Sequence, residues 1–162
     1  MSRKIFVIMT LLAVLAAGLA WWLSARERPG DSSLAGNLLY PGLEQEINQV
    51  SKIQLVGAGN VTLATLNKSA DAWTVLEQKG YRADWVQVRS LLAALAKAQV
   101  VEQKTKREDY YPRLGVENVA ASDAKGILVR LDDRDELSLI IGHIAADGSG
   151  GRYVRIANQD QA

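Results

Sequence analysis

An uncharged apolar run from Ile5 to Leu23 constrains this chain more than any other feature of its sequence. Its most polar side chain is Thr10, whose hydroxyl can bond to the backbone of its own helix. A helix of this length would be about 30 Å long, which matches the hydrocarbon core of a bilayer. The run therefore predicts an N-terminal transmembrane helix.

The candidate anchor residues are large apolar side chains of this run and the tryptophans at its outer end, where indole rings favour the headgroup level. They are Ile5, Leu12, Leu15, Trp21, Trp22 and Leu23. A cleaved signal peptide is the alternative, because Arg3 and Lys4 precede the run and small residues offer cuts after Gly18 or Ala20. The run is longer than a usual signal-peptide core, which favours an uncleaved anchor. Without any cysteine, the acylated lipoprotein route is excluded.

The chain divides into an anchor at 1–25, a flexible tether at 26–37 and one domain at 38–162. An uncleaved N-terminal segment favours a cytoplasmic N-terminus, although the positive charges on its two sides differ little. The expected location is the cell inner membrane, crossed once, with the C-terminal domain extracytoplasmic. The net charge of +1 provides no overall field to attract nucleic acid.

Within the domain, the spacing of apolar residues predicts an α+β fold. Seven segments are predicted strands: 52–56, 61–66, 72–76, 100–101, 126–131, 136–141 and 152–156. The clearest element is a helix that Asp84 caps and that places Trp85, Val88, Leu92 and Leu95 on one buried face. Three strands, a helix and four strands favour a mainly antiparallel sheet packed by one principal helix.

The residues that usually carry chemistry are sparse. His143 is the only histidine and there is no cysteine, so a nucleophilic triad would depend on one imidazole. The acidic cluster from Asp132 to Glu136 lacks the spacing of a calcium loop and is interpreted as a polar hairpin connection. Gly57 and Gly59 lack the third glycine of a phosphate loop. No catalytic residue, metal site, cofactor or small-molecule ligand is predicted.

A basic run between Lys104 and Arg113 contains two tyrosines, a combination that can bind nucleic acid or an anionic polymer. Carboxylates within and beside the run cancel much of its charge. A solvated face is therefore expected here, and no nucleic-acid partner is predicted.

Four landmarks together resemble a known family. They are Trp73, Tyr81-Arg-Ala-Asp84, Tyr111-Pro-Arg-Leu-Gly-Val116, and Ile141-Gly142 followed by Gly151-Arg-Tyr-Val-Arg155. In this order and spacing, from about Leu38 onward, the chain resembles the domain-of-unknown-function 4340 family. The resemblance implies a membrane-anchored bacterial protein, often linked to auxiliary components of gliding-motility-type ABC transporters, and it supplies no catalytic residues.

The chain departs from this family at three places. Arg82 and Val119 stand where members usually have proline, and members usually continue beyond the strand at 152–156. A shortened member would leave that strand or its neighbour as an unprotected sheet edge. Such an edge is expected to pair with a second copy or with a partner strand.

The expected function is a non-enzymatic, membrane-anchored envelope domain that serves as an accessory or interaction module of a membrane complex such as an ABC-type transporter. Its expected partners are the membrane and a protein of that complex. One alternative is an envelope enzyme that acts on a polymer through Asp132, Asp135 or Glu136, and another is a truncated remnant without independent function. Convergence of these carboxylates in a cleft would favour the enzyme, and an exposed hairpin tip the interaction module.

Overall fold

The computed structural model describes residues 36–70, 72–148 and 150–157, which form seven strands and several short helices. The strands are β1 (Lys52–Gly57), β2 (Val61–Ser69), β3 (Ala72–Val75), β4 (Tyr81–Arg82), β5 (Ile127–Leu131), β6 (Arg134–Ile144) and β7 (Arg152–Ile156). The α-helices are α1 (Leu43–Glu46), α2 (Trp85–Lys97) and α3 (Tyr111–Leu114). Single 3-10 turns lie at Ile47–Gln49, Ala58–Asn60, Leu76–Gln78 and Glu108–Tyr110.

All seven described strands belong to one antiparallel sheet with the order β4-β3-β2-β1-β5-β6-β7. The sheet grows outward from β1, first toward β4 and then, after α2, toward β7. Successive side chains of a strand point to opposite faces. Leu55 opposite Val129 therefore faces α2, and Val56 opposite Leu128 faces the other way.

The hairpin between β5 and β6 turns at two aspartates. Asp132 and Asp133 have φ angles of 50° and 55°, a left-handed backbone that two-residue hairpin turns require and that aspartate tolerates. Oδ1 of Asp132 accepts hydrogen bonds from the backbone N–H groups of Ser51 and Lys52, at 2.8 and 2.9 Å. Lys52 also forms an ion pair with Asp133. These carboxylates fasten the hairpin to the start of β1.

Helix α2 begins where the Asp84 side chain accepts a hydrogen bond of 2.9 Å from the Val86 N–H. Its buried residues lie on the face toward the sheet: Val88, Leu92, Leu95 and Ala96. Trp85, expected in the core, has 51% of its surface exposed. That prediction is wrong because Trp85 is the first residue of the helix and its side chain extends beyond the main core.

Each face of the sheet carries its own hydrophobic core. The larger core lies under α2 and includes Tyr40, Leu43, Val50, Ile53, Trp73, Leu131 and Leu139. The smaller core is covered by α3 and the chain that follows it, and comprises Val56, Tyr111, Val116, Val119, Leu128 and Ile140. The second face is closed so tightly that a Cβ added to Gly142 would lie 2.4 Å from the Leu114 carbonyl oxygen.

The fold class expected from the sequence is wrong. The described residues form a seven-stranded antiparallel sheet with few helices, and of these helices only α2 exceeds four residues. Tyr81 and Arg82, which were not among the predicted strands, pair with β3 as β4. The predicted strand at 100–101 is replaced by one isolated bridge between Gln99 and Leu38, because the chain here pairs only with the short segment around Asn37 and not with the sheet.

No helix in the described part of the chain has the length and apolar character needed to cross a bilayer. The six anchor residues named above, from Ile5 to Leu23, lie outside the described residues.

Candidate functional site

An open apolar groove of about 820 Å³ lies between the sheet and α2. Its floor consists of aliphatic side chains from four strands: Leu55, Ile127, Val129, Leu139, Ile141, Val154 and Ile156. Its other wall consists of α2 and the extended chain that follows it, with Leu91, Ala94, Leu95, Ala98, Val100 and Val101. The floor and this wall are both apolar, so the groove is suited to an apolar occupant.

The groove exists because α2 covers only half of the sheet. The helix packs toward α1 and β3, where Trp73 is only 2% exposed. At the start of β5 this cover is incomplete, and Ile127 is 42% exposed, whereas Val129 further along the strand is buried. Val154 and Ile156 of β7 remain half-buried.

The rim of the groove is polar and mixed in charge. Glu102 accepts a hydrogen bond from the ammonium group of Lys104, which raises the pKa of that lysine. Nη1 of Arg152 donates to the carbonyl oxygen of Gly142 at 3.4 Å. Among the described residues, no carboxylate forms an ion pair with Arg152 or with Lys125, which also lies on the rim.

The N-terminal end of the described chain forms part of the groove wall. The N–H of Gly36 donates to the Val100 carbonyl at 2.7 Å, and the N–H of Val100 donates to the Asn37 carbonyl at 2.9 Å. Leu39 then joins the groove lining. The segment from Gly36 to Leu39 is therefore part of this wall.

Strand β7 forms one edge of the sheet and bounds the groove. Ala157 donates to Ser138 at 2.8 Å, and Ala145 donates to Gly151 at 2.8 Å, which fixes the alternation of the ladder with β6. In an antiparallel ladder the residues between such pairs direct their N–H and C=O groups outward. In β7 these residues are Arg152, Val154 and Ile156, whose side chains line the groove. Within the described chain, no strand lies beyond them.

The opposite edge is closed by a different arrangement. Strand β4 has only two residues. Where β2 extends past the end of β3, Oε2 of Glu77 accepts a hydrogen bond of 2.7 Å from the Thr65 N–H. This bond lowers the pKa of Glu77. The carboxylate therefore takes the place that a neighbouring strand would have at Thr65.

The acidic cluster singled out in the sequence does not reach the groove. Asp132 and Asp133 hold the start of β1, whereas Asp135 and Glu136 are exposed at the beginning of β6. The four carboxylates thus lie at a hairpin and its flank. No group of three His, Cys, Asp or Glu side chains in the described part of the chain is placed to hold a metal ion.

His143 is exposed on β6, and its ring lies over Gly115. Its Nδ1 is 3.3 Å from the Arg113 carbonyl oxygen. The Gly57 to Gly59 segment forms a turn between β1 and β2.

The basic run is engaged largely with its own neighbours. Arg107 forms an ion pair with Asp109 at 2.7 Å. The guanidinium groups of Arg107 and Arg113 lie 4.8 and 5.2 Å from the ring centre of Tyr110. Tyr111 is buried in the smaller core. The tyrosines are therefore used for local packing.

Together, the fold and the groove define a class of protein: an antiparallel β-sheet domain with an apolar groove beside one edge strand, beyond which the described residues place no further strand. The sequence profile of the family described as Domain of unknown function (DUF4340) matches residues 73–162. This is more than half of the 162 residues, and the chain belongs to that family. The match includes α2 and the strands from β5 to β7. No curated protein and no solved structure matched the chain.

Proposed function

We propose that this domain is a non-enzymatic interaction module of a membrane complex, with an ABC-type transporter as the expected partner. The apolar sequence from Ile5 to Leu23 would hold it at the inner membrane, with the domain outside the cytoplasm. The link to a transporter rests on the family resemblance.

The observation that carries this proposal is the open apolar groove beneath α2. Leaving aliphatic side chains such as Ile127 in contact with water costs free energy, at roughly 25 cal/mol for each Å² of apolar surface. Contiguous exposed apolar surfaces of this kind commonly mark interaction sites. A partner that fills the groove would remove this cost.

The enzymatic alternative receives no comparable support. An enzyme acting on a polymer would need Asp132, Asp135 or Glu136 in a cleft that could receive the substrate. Asp132 instead accepts hydrogen bonds from the backbone of β1, and the other two are exposed beside the hairpin. We therefore retain only the interaction module.

The proposal is tested by placing a charge inside the groove and a matched charge outside it. Ile127→Glu introduces a carboxylate on the groove floor at a position that is 42% exposed in the folded domain. Val61→Glu is the matched control, because Val61 is also exposed on a strand, at 57%, but does not line the groove. Thermal unfolding of both variants checks that each remains folded.

The measurement is affinity purification of the tagged full chain from native membranes, followed by mass spectrometry. We expect the permease and ATPase subunits of a transporter to be retained by the wild type and by Val61→Glu, and lost with Ile127→Glu. Equal retention by both variants, or no transporter subunit with the wild type, would contradict the proposal.

A further inference from the structure

We infer that β7 receives an extended segment of the partner protein as an eighth strand, and that this segment carries apolar side chains at alternate positions and a carboxylate near Arg152. The inference rests on the proposed function and specifies how the partner is bound. It follows from three features of the edge: its backbone, its apolar surroundings and its charge.

The backbone of β7 has outward N–H and C=O groups at alternate residues, which is the spacing that an added strand needs for hydrogen bonding. Arg152, Val154 and Ile156 direct their N–H and C=O groups away from β6, since the ladder to β6 uses the residues between them. Within the described residues none of these outward amides has a partner. A strand added to a sheet edge satisfies such donors and acceptors in one step.

The same three residues connect the edge to the groove. The side chains of Val154 and Ile156 form its outer floor, opposite Ile141 and Leu139 of β6. An eighth strand would continue this floor, because its alternate side chains would point toward the same face. Apolar residues at those alternate positions would then lie beside Val154 and Ile156 in the groove. The backbone and the groove therefore favour one occupant.

Charge favours a different protein over a second copy of this chain. Strand β7 contains two arginines and no carboxylate. Arg155 points to the face opposite the groove, where its Nε donates a hydrogen bond of 2.8 Å to the Val116 carbonyl oxygen. Arg152 lies on the groove rim without a carboxylate partner among the described residues. A second β7 strand would offer Arg152 no carboxylate, because β7 contains none, whereas a partner glutamate or aspartate would neutralise Arg152.

The test uses a synthetic peptide with the order Thr-Val-Thr-Val-Thr-Glu-Thr and a fluorescent label. In antiparallel pairing its valines lie opposite Ile156 and Val154, and its glutamate lies opposite Arg152. N-methylation of the two valine amides removes hydrogen bonds to β7. N-methylation of two threonine amides is the matched control, because those amides point away from β7.

Binding is measured by fluorescence anisotropy with the full chain in lipid nanodiscs. We expect methylation of the valine amides to weaken binding about tenfold or more, and methylation of the threonine amides to change it less than about threefold. Replacing the peptide glutamate by lysine is also expected to weaken binding. Equal effects of the two methylation patterns, or no binding of the parent peptide, would overturn the inference.

A second arm alters the protein. Val154→Pro removes one outward N–H that β6 does not use, at an edge position where proline is tolerated, and Val154→Ala retains that N–H with a smaller side chain. We expect the proline variant to lose the peptide and the alanine variant to bind it within about fivefold.

The two arms separate this inference from the proposed function. If Ile127→Glu loses the transporter subunits while Val154→Pro retains them, the interaction module stands and the added strand is wrong. Self-association of the full chain that Val154→Pro abolishes would also overturn the inference, because it would assign the edge to a second copy.

Discussion

The two edges of the described sheet differ in whether a side chain bonds the outward N–H groups of their strands. At the β4 edge the outermost strand has two residues, and Glu77 bonds the Thr65 N–H where β2 extends past its neighbour. At the β7 edge a strand of five residues directs the amides of Val154 and Ile156 outward, with no cap among the described residues. Short strands and charged side chains are ordinary means of blocking edge pairing.

This difference shows that the fold can close an edge, whereas nothing in residues 36–70, 72–148 and 150–157 closes the edge at β7. Open edges expose a protein to unwanted association, so retaining one is costly unless it serves a purpose. Strand β7 is also packed on the face toward the smaller core, where Arg155 is 7% exposed and lies against Tyr111. In the described part of the chain the edge is thus packed from one face and open along its outer side, which suits it to receive a strand.

The largest expected effect comes from breaking the support beneath β6 and β7. Gly142→Ala would place a Cβ 2.4 Å from the Leu114 carbonyl oxygen and 2.8 Å from the Gly115 carbonyl oxygen. Backbone atoms cannot yield as a flexible side chain can, so we expect a loss of about 3 kcal/mol in the free energy of unfolding. Urea denaturation of the full chain measures this change.

Gly57→Ala is the matched control in the other half of the sheet. A Cβ there would meet the exposed side chain of Leu63 at 3.2 Å, and that side chain can move aside. We expect a change of about 0.5 kcal/mol or less. Similar losses in the free energy of unfolding for the two variants would contradict the conclusion that the chain packs more tightly around β6 and β7 than around β1.

The next effect distinguishes the two faces of β7: the face toward the smaller core, which carries Arg155, and the face toward the groove, which carries Arg152. Arg155→Met leaves the Val116 carbonyl without its hydrogen bond and removes a guanidinium that lies 4.9 Å from the Tyr111 ring centre. We expect this to lower the free energy of unfolding by about 2 kcal/mol. Arg152→Met on the groove side should change it by about 0.5 kcal/mol or less. Equal losses in denaturant titrations would show that the two sides are not distinct.

The smallest effect concerns the cap on the closed edge. The Thr65 N–H lowers the pKa of Glu77 below its ordinary value of 4.5. A lowered pKa stabilises the fold above that ordinary value, and this contribution is lost as the pH falls through the pKa of the folded state. The melting temperature of Glu77→Gln should therefore lie further below that of the wild type at about pH 7 than at about pH 3. A pH-independent difference would argue against the cap.

Local sequence patterns predicted several elements but misjudged the proportion of helix to sheet in the fold. The Asp84 cap and the spacing of Val88, Leu92 and Leu95 indicated α2, because both are local signals. Strand β4 was missed, since two residues give no alternation and their strand character comes from pairing with β3. Val100 has apolar neighbours typical of a strand, yet its partners lie near Asn37, far away in the sequence.

The candidate site was only partly predictable. The sequence indicated that the strand at 152–156 or its neighbour could be an edge, and the structure places β7 there. The groove could not be foreseen, because it depends on how far α2 extends across the sheet. Trp85 shows the same difficulty: helical spacing placed it on the buried face, but its depth depends on where the core ends. The paired aspartates at 132 and 133 indicated a hairpin but not their bonds to β1.

The open outer edge of β7 is tested most directly by amide hydrogen exchange in the full chain without a partner, resolved by residue with NMR. The N–H groups of Val154 and Ile156 should exchange about a hundredfold faster than those of Arg155 and Ala157, which bond to β6. Slow and equal exchange along the whole strand would show that the outer edge is covered, and would contradict the account.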